Sequence, residues 1–577
     1  MVAWARPSTP IADLDRPVKI GKPAAMALTG RGPGVPPSPP RIARALAALP
    51  GPVRRRLEAR LPATVAPPLA GPAATPRVAI IGTGFGGIGM ACRLRQAGIE
   101  SFTLHDRASA IGGTWRDNSY PGAACDVPSH LYSLSFAPKL DWSRRFPTQP
   151  EILGYLESVV DQFELGPHLR LGSELQRATW DEERACWHLE FGDGTHDEAE
   201  VLVCATGQLN RPSIPEIPGL ERFGGVAFHS ARWDHTRDLT DRDIAVIGIG
   251  ASAIQFVPEV AKVARSVTLF QRSSNYVAPK PDGPFGPLAR WALGHVPGLA
   301  KLYRFSIWAR FEARWAWFRD GSRSAHLIQR TFDRKLRTLV GDRLTERALI
   351  PDYPLGCKRI LISNDWYPTL LRPNVRVVTE PVEEITPTGV RTGGGEVDVD
   401  TIVFGTGFAS TGFLQPIEII GTGGADLHQR WAEGAEAHLG IAVSGFPNLF
   451  LLYGPNTNLG HNSIVFMLER QIAYALACIR RLAEHPGGSL DVRPEVEATS
   501  TAEVQRRLSR TVWAASCHSW YKTASGKITN NWSGPTLSYW RQTWRPRFAD
   551  YDERVAPAST GPVAELAGHS GGANRPR

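Results

Sequence analysis

The sequence predicts an α/β protein built on two Rossmann-like dinucleotide-binding domains, with a helical insertion in the second. Three observations predict it. Two glycine-rich loops each follow a short apolar run and precede a helical stretch. The loops lie 166 residues apart (248 minus 82), too far for one βαβ unit. Each is followed after 24 residues by a charged side chain, Asp106 in the first case (106 minus 82) and Arg272 in the second (272 minus 248).

The first unit opens with the apolar run Val78–Ile81, which reads as a buried parallel strand. Gly82, Gly84 and Gly87 then match G-x-G-x-x-G. Gly82 permits a tight turn, Gly84 lets backbone approach a pyrophosphate, and Gly87 lets helix and strand pack closely. A helix is expected from Gly87 to Ala97, closed by Gly98, with the next strand at Ser101–Leu104. Asp106 stands where a carboxylate accepts hydrogen bonds from ribose hydroxyls and repels a 2′-phosphate, which suits FAD or NAD.

The second unit starts at Ile244–Ile247 and carries Gly248, Gly250 and Ala253, with Ser252 between them. A helix is expected over Ala251–Ala264 and a strand over Val267–Phe270. Arg272 replaces the acid of the first unit, and a guanidinium there favours a 2′-phosphate. Ser273 adds a hydroxyl, so this loop reads as an NADPH site. One acid-type and one arginine-type site in a single chain imply electron transfer from NADPH to FAD.

Composition bounds the alternatives. The formal charge is +9, but residues 1–76 hold 11 Lys or Arg against 3 Asp or Glu. The remainder is therefore near neutral, which argues against a nucleic-acid enzyme. No apolar run is long enough for a stable membrane span, and no signal peptide opens the chain, so a cytoplasmic protein is expected. The seven cysteines are scattered without a C-x-x-C pair. Reduced thiols are expected, with no metal site and no dithiol reductase chemistry.

Domain boundaries are expected as follows. A flexible basic extension covers 1–76, and the first part of the FAD domain covers 77–215. The NADP domain covers 216–375, with its helical insertion at 280–350. The FAD domain resumes with the C-terminal segment over 376–550, and a disordered tail covers 556–577. The insertion is rich in aromatics and arginines over Lys301–Arg319. It reads as a helical cover, or as a lid, a substrate channel or a membrane-surface contact.

Four further segments resemble the Baeyer–Villiger monooxygenases, class B flavin-dependent enzymes. Phe223, Gly225, His229, Trp233 and Asp234 fill every fixed position of the fingerprint F-x-G-x-x-x-H-x-x-x-W-[P/D]. Gly112–Asp126 carries Gly113, Trp115, Tyr120, Pro121, Gly122 and Asp126 in the family register. Ala205–Gly207 and Gly405–Phe408 resemble the interdomain crossovers. The resemblance spans roughly 77–545 and implies an active-site arginine at Arg359, positioned by Asp126. It further implies NADP contacts at Lys358 and Trp520, a flavin contact at Tyr132, cofactor contacts at Thr114, Trp115, Asp126 and Arg359, and a coupling role for His229. The implied reaction uses NADPH and O2 and proceeds through a C4a-peroxyflavin. It turns a small-molecule ketone into an ester or lactone, in a monomer or a homo-oligomer. Heteroatom-oxygenating flavin monooxygenases, acting on nitrogen or sulfur, share both loops. Asp126, Arg359 and the Trp233–Asp234 pair favour carbonyl attack.

Overall fold

The computed structural model describes residues 75–340, 346–517 and 519–555. The expected basic extension up to residue 74 and the tail from 556 lie outside the described residues.

Two five-stranded parallel sheets form the frame. In the first, the order is Leu449–Leu451, Val201–Cys204, Val78–Ile81, Phe102–Asp106, Leu169–Leu171. The central strand is buried along its whole length, as an uninterrupted Val-Ala-Ile-Ile run between two covered faces requires. The helix Phe85–Gln96 follows the first glycine loop and packs against the long helix Ile464–Glu484. Gly98 ends that turn with φ +75°.

The second sheet has the order Val375–Val378, Ser266–Phe270, Asp243–Ile247, Thr401–Phe404, Val226–His229, again all parallel. Its strands fall between residues 226 and 404, so the second unit is inserted into the first. The chain stays with this sheet to Phe404, beyond the boundary at 375 expected from sequence. The antiparallel strands Val382–Ile385, Gly389–Thr392 and Gly395–Asp398 precede Thr401–Phe404. Short strands of that kind carry no signal of which sheet the following strand joins.

The helical insertion begins after Val277–Ala278 and returns at Leu361–Ile362, two short strands that pair in parallel. It contains Pro287–His295, Leu299–Ala313 and Arg323–Val340. The pairing anchors its exit, so Arg359 sits two residues before a fixed strand.

The expectation for the cysteines is also corrected. Cys357 and Cys517 form a disulfide across 160 residues, with Cα atoms 6.5 Å apart. The other five cysteines are free and buried. Local spacing rules see only neighbouring cysteines, whereas the fold brings two distant loops together.

Candidate active site

The first glycine loop has the geometry its sequence requires. Gly82 adopts φ +109°, and a Cβ there would lie 2.6 Å from the Ala205 carbonyl oxygen. A Cβ on Gly87 would lie 1.8 Å from the Gly82 oxygen, so only glycine fits. At Gly84 a Cβ would meet nothing closer than 3.9 Å, leaving the loop open on that side. The Asp106 carboxylate holds the loop by accepting from Thr83 N–H (2.9 Å) and Thr83 Oγ1 (2.6 Å). Its other oxygen accepts from Ala108 N–H at 3.0 Å and from Arg116 at 3.3 Å.

A cleft of about 180 Å³ runs along this loop past Asp106, Thr114 and Trp115. It meets a larger cavity of about 890 Å³, and Thr114, Trp115, Tyr132, Gly207, Tyr453 and Ile464 line both. Trp115 Nε1 donates to Tyr132 Oη at 3.1 Å, fixing two aromatic rings where the spaces join. The cleft thus leads from the open side of Gly84 to the junction with the larger cavity, the elongated form that a dinucleotide site takes.

The large cavity reaches the second glycine loop, where Gly248, Gly250 and Ser252 line it. Ala253 is fully buried at the start of the helix Ala253–Val260. Arg272 is exposed at the rim and has no hydrogen bond or ion pair among the described residues. Lys358 donates to Ser273 Oγ at 2.9 Å and lies over the Tyr353 ring at 4.5 Å. Burial lowers the Lys358 pKa, Asp352 opposes that, and Arg272 lowers it further. Two cations that repel each other beside a hydroxyl form a site that a phosphate dianion would relieve. The residues therefore fit a 2′-phosphorylated dinucleotide.

Between the two loops, Arg359 Nη2 donates to Asp126 Oδ2. The Asp126 charge raises the Arg359 pKa above its already high value, outweighing the opposing effect of burial. Burial pushes the Tyr453 and Tyr521 phenols up, while Arg359 pulls them down. Both remain neutral donors beside a permanent cation. Tyr453 donates to Asn458 Oδ1 at 2.7 Å and has φ +65°.

Asp126 owes its position to the segment before it. Gly122, at φ +79°, brings the chain against the helix of the second unit, where a Cβ would meet the Gln255 oxygen at 2.7 Å. Gln255 Oε1 accepts from Tyr120 Oη at 3.0 Å, and its Nε2 donates to the Ala124 carbonyl at 2.9 Å. One glutamine thus ties the Asp126 segment of the first unit to the glycine-loop helix of the second. Gln255, Tyr453, Asn458 and Tyr521 were missed in the sequence. They belong to no motif, and their signal is only spatial.

The fingerprint residues lie apart from the Arg359–Asp126 pair. Phe223 packs on Gly225, where a Cβ would meet its ring at 2.6 Å. Trp233 stands against Phe228 and Phe256, with centroids 5.2 and 5.3 Å away. Asp234 accepts from Thr236 N–H at 3.0 Å and closes a turn. His229 is buried, its Nδ1 accepts from Ala231 N–H at 3.1 Å, and burial lowers its pKa to about 4. A neutral imidazole beside the crossover residue Phe408 (5.7 Å) suits a structural joint.

Trp520 lines the large cavity, and its backbone oxygen accepts from Ser410 Oγ at 2.9 Å. The Cys357–Cys517 bridge joins the loop of Lys358 and Arg359 to the loop of Trp520. Both walls of the cavity are therefore linked covalently. Among the described residues no cluster of His, Cys, Asp or Glu could hold a metal ion, and no helix is long and apolar enough to cross a membrane.

Two parallel nucleotide-binding folds, joined by a cavity with a fixed arginine, define a two-dinucleotide oxidoreductase. Residues 79–285 match the family model described as pyridine nucleotide-disulphide oxidoreductase. A Baeyer-Villiger monooxygenase of Streptomyces coelicolor is 44% identical over 492 residues, covering 85% of this chain and 95% of that protein. A solved structure titled as an oxidized steroid monooxygenase bound to NADP is 31% identical, with TM-score 0.73 over 81% of this chain and 96% of that one. An OTEMO structure in complex with FAD and NADP is 27% identical, with TM-score 0.73 over 82% and 97%. The chain belongs to the Baeyer–Villiger monooxygenase family.

Proposed function

We propose that the protein uses NADPH and O2 to insert one oxygen atom beside the carbonyl of a small-molecule ketone, giving an ester or lactone. The observation that carries this reading is the Arg359–Asp126 pair on the wall of a cavity reached from both glycine loops. FAD would be held by Gly82, Gly84, Gly87 and Asp106, with Thr114, Trp115 and Tyr132 where the cleft opens. NADPH would be held by Gly248, Gly250, Ser252, Ala253, Arg272, Ser273, Lys358 and Trp520. When bound, these cofactors supply hydride transfer and oxygen activation.

Arg359 stays protonated at any working pH, so it presents a fixed positive charge to the oxygen that becomes anionic during carbonyl attack. A preorganised donor of this kind lowers a barrier by roughly 3 kcal/mol. Asp126 holds the guanidinium in place and balances its charge before substrate enters. Tyr453 and Tyr521 add neutral phenols near the same cation, and Trp115 and Tyr132 would limit water at the junction once cofactor is bound. Lys358 and Arg272 would grip the 2′-phosphate. His229 and the fingerprint would couple the two folds. All these groups come from one chain, so either a monomer or a homo-oligomer can work. A cytoplasmic location would supply NADPH and O2 to this reaction.

Product analysis with purified enzyme, NADPH, O2, a ketone panel and a thioether tests this reading. Ester or lactone is expected. Sulfoxide alone, with every ketone untouched, would overturn it in favour of heteroatom oxygenation.

A further inference from the structure

The helical insertion has an outer face that the active site does not use. Its first two helices, Pro287–His295 and Leu299–Ala313, pack on each other through the short link Val296–Gly298. Leu288, Trp291, Val296, Leu302 and Phe305 are all exposed, from 42% at Val296 to 77% at Leu288. Large apolar side chains at that exposure are unusual in such a concentration on a water-facing surface.

The charge on the same segment is one-sided. From Gly283 to Phe311 there is no Asp or Glu, while Arg290, Lys301, Arg304 and Arg310 occur. Arg304 is turned inward, donating to the His130 and Ser133 carbonyls at 2.7 and 2.8 Å. Arg290, Lys301 and Arg310 make no ion pair among the described residues and are exposed. Asp141, whose field reaches Arg290, is already bound to Lys139 at 2.8 Å.

The inner face is different. Ile307 and Phe311 are buried with Leu131, and Val127 packs against that cluster. Val127 follows Asp126 and lines the large cavity. The second helix therefore separates the wall of the active site from the exposed apolar face.

We propose that this helical pair is a docking surface for an anionic lipid bilayer. Exposed Trp, Phe and Leu among unpaired cations, with the pair's one acid, Glu312, turned inward to accept from Asn462 and Thr536, is the pattern that lies in a lipid interface. The absence of a spanning helix among the described residues agrees with lying on the bilayer rather than crossing it. A second copy meeting the same face would set cations against cations. The N-terminal 76 residues, with 11 Lys or Arg and 3 Asp or Glu, carry the same sign and do not supply the complementary charge. Anionic headgroups carry the complementary charge. Docking would bring the wall of the cavity close to a phase in which apolar substrates concentrate. The surface stands whichever oxygenation the active site performs.

Sedimentation of the full chain with lipid vesicles tests the proposal. Vesicles of phosphatidylcholine alone are compared with vesicles holding about 30 mol% phosphatidylglycerol. Binding is expected to the anionic vesicles at least about tenfold above the neutral ones, weakening as salt rises. A Leu288→Ser, Trp291→Ser, Phe305→Ser variant should lose about tenfold of that binding at unchanged Tm and flavin content. Lys301→Glu with Arg310→Glu should lose it too. Parent-like binding by both variants overturns the proposal, because the basic extension would then be the anchor. A parent dimer that the triple serine variant dissociates also overturns it, since the face would then join two protein copies.

Discussion

Arg359 and Asp126 form an ion pair across 233 residues of sequence, and Asp126 itself is held by a loop that Gln255 fastens from the other domain. The pair therefore forms only when both nucleotide folds are in place. Removing Asp126 leaves a cation beside neutral phenols with nothing to orient it. Asp126→Ala is expected to lower the ester-forming kcat by roughly a hundredfold, while Tm falls little. Steady-state kinetics beside a melting curve checks this, and an unchanged kcat would remove Asp126 from the machinery.

Arg272 is exposed at the rim and unpaired, so its loss should be felt by the ligand rather than the fold. Arg272→Ala is expected to raise KM for NADPH about 10- to 100-fold, the worth of a charge-assisted hydrogen bond, and to leave KM for NADH nearly as it was. Equal responses of the two cofactors would show that the 2′-phosphate binds elsewhere.

The Cys357–Cys517 bridge makes a countable prediction. Denatured protein without reductant should titrate five thiols, the seven cysteines minus two, and seven after reduction. Cys517→Ser frees the Trp520 loop from the Lys358–Arg359 loop. It should raise KM for NADPH severalfold and cost about 2–4 kcal/mol of stability. Seven thiols in the untreated protein would exclude the bridge.

Asp491 faces Asp552 directly across an antiparallel pair, and burial pushes its carboxyl up to about 7 from the usual 3.8. Because the folded value is raised, its contribution is complete below pH 3.8 and is lost as pH rises towards 7. Asp491→Asn keeps an acceptor for the Gly445 N–H and removes the charge. Its Tm should exceed the parent's by a few degrees at pH 8 and match it at low pH. Thermal scans at the two values check the sign.

Much of this was legible in the sequence because glycine loops are local. Gly82, Gly84 and Gly87 announce a turn, an open approach and a helix contact within six positions. The 24-residue spacing places Asp106 and Arg272 at equivalent strand ends. What escaped is what folding alone brings together. Gln255 carries no motif, yet it fixes the Asp126 loop. Tyr453 and Tyr521 reach Arg359 from distant segments, and Cys357 finds Cys517 across 160 residues. The strand Thr401–Phe404 joins the second sheet through pairing that no local pattern specifies.

The most direct test is the product balance of Arg359→Ala. NADPH should still bleach the flavin in a rapid-mixing experiment at close to the parent rate, because Arg359 is assigned to carbonyl attack and not to hydride transfer. No ester or lactone should then form on admission of O2 and ketone. A normal ester yield from that variant would contradict the account.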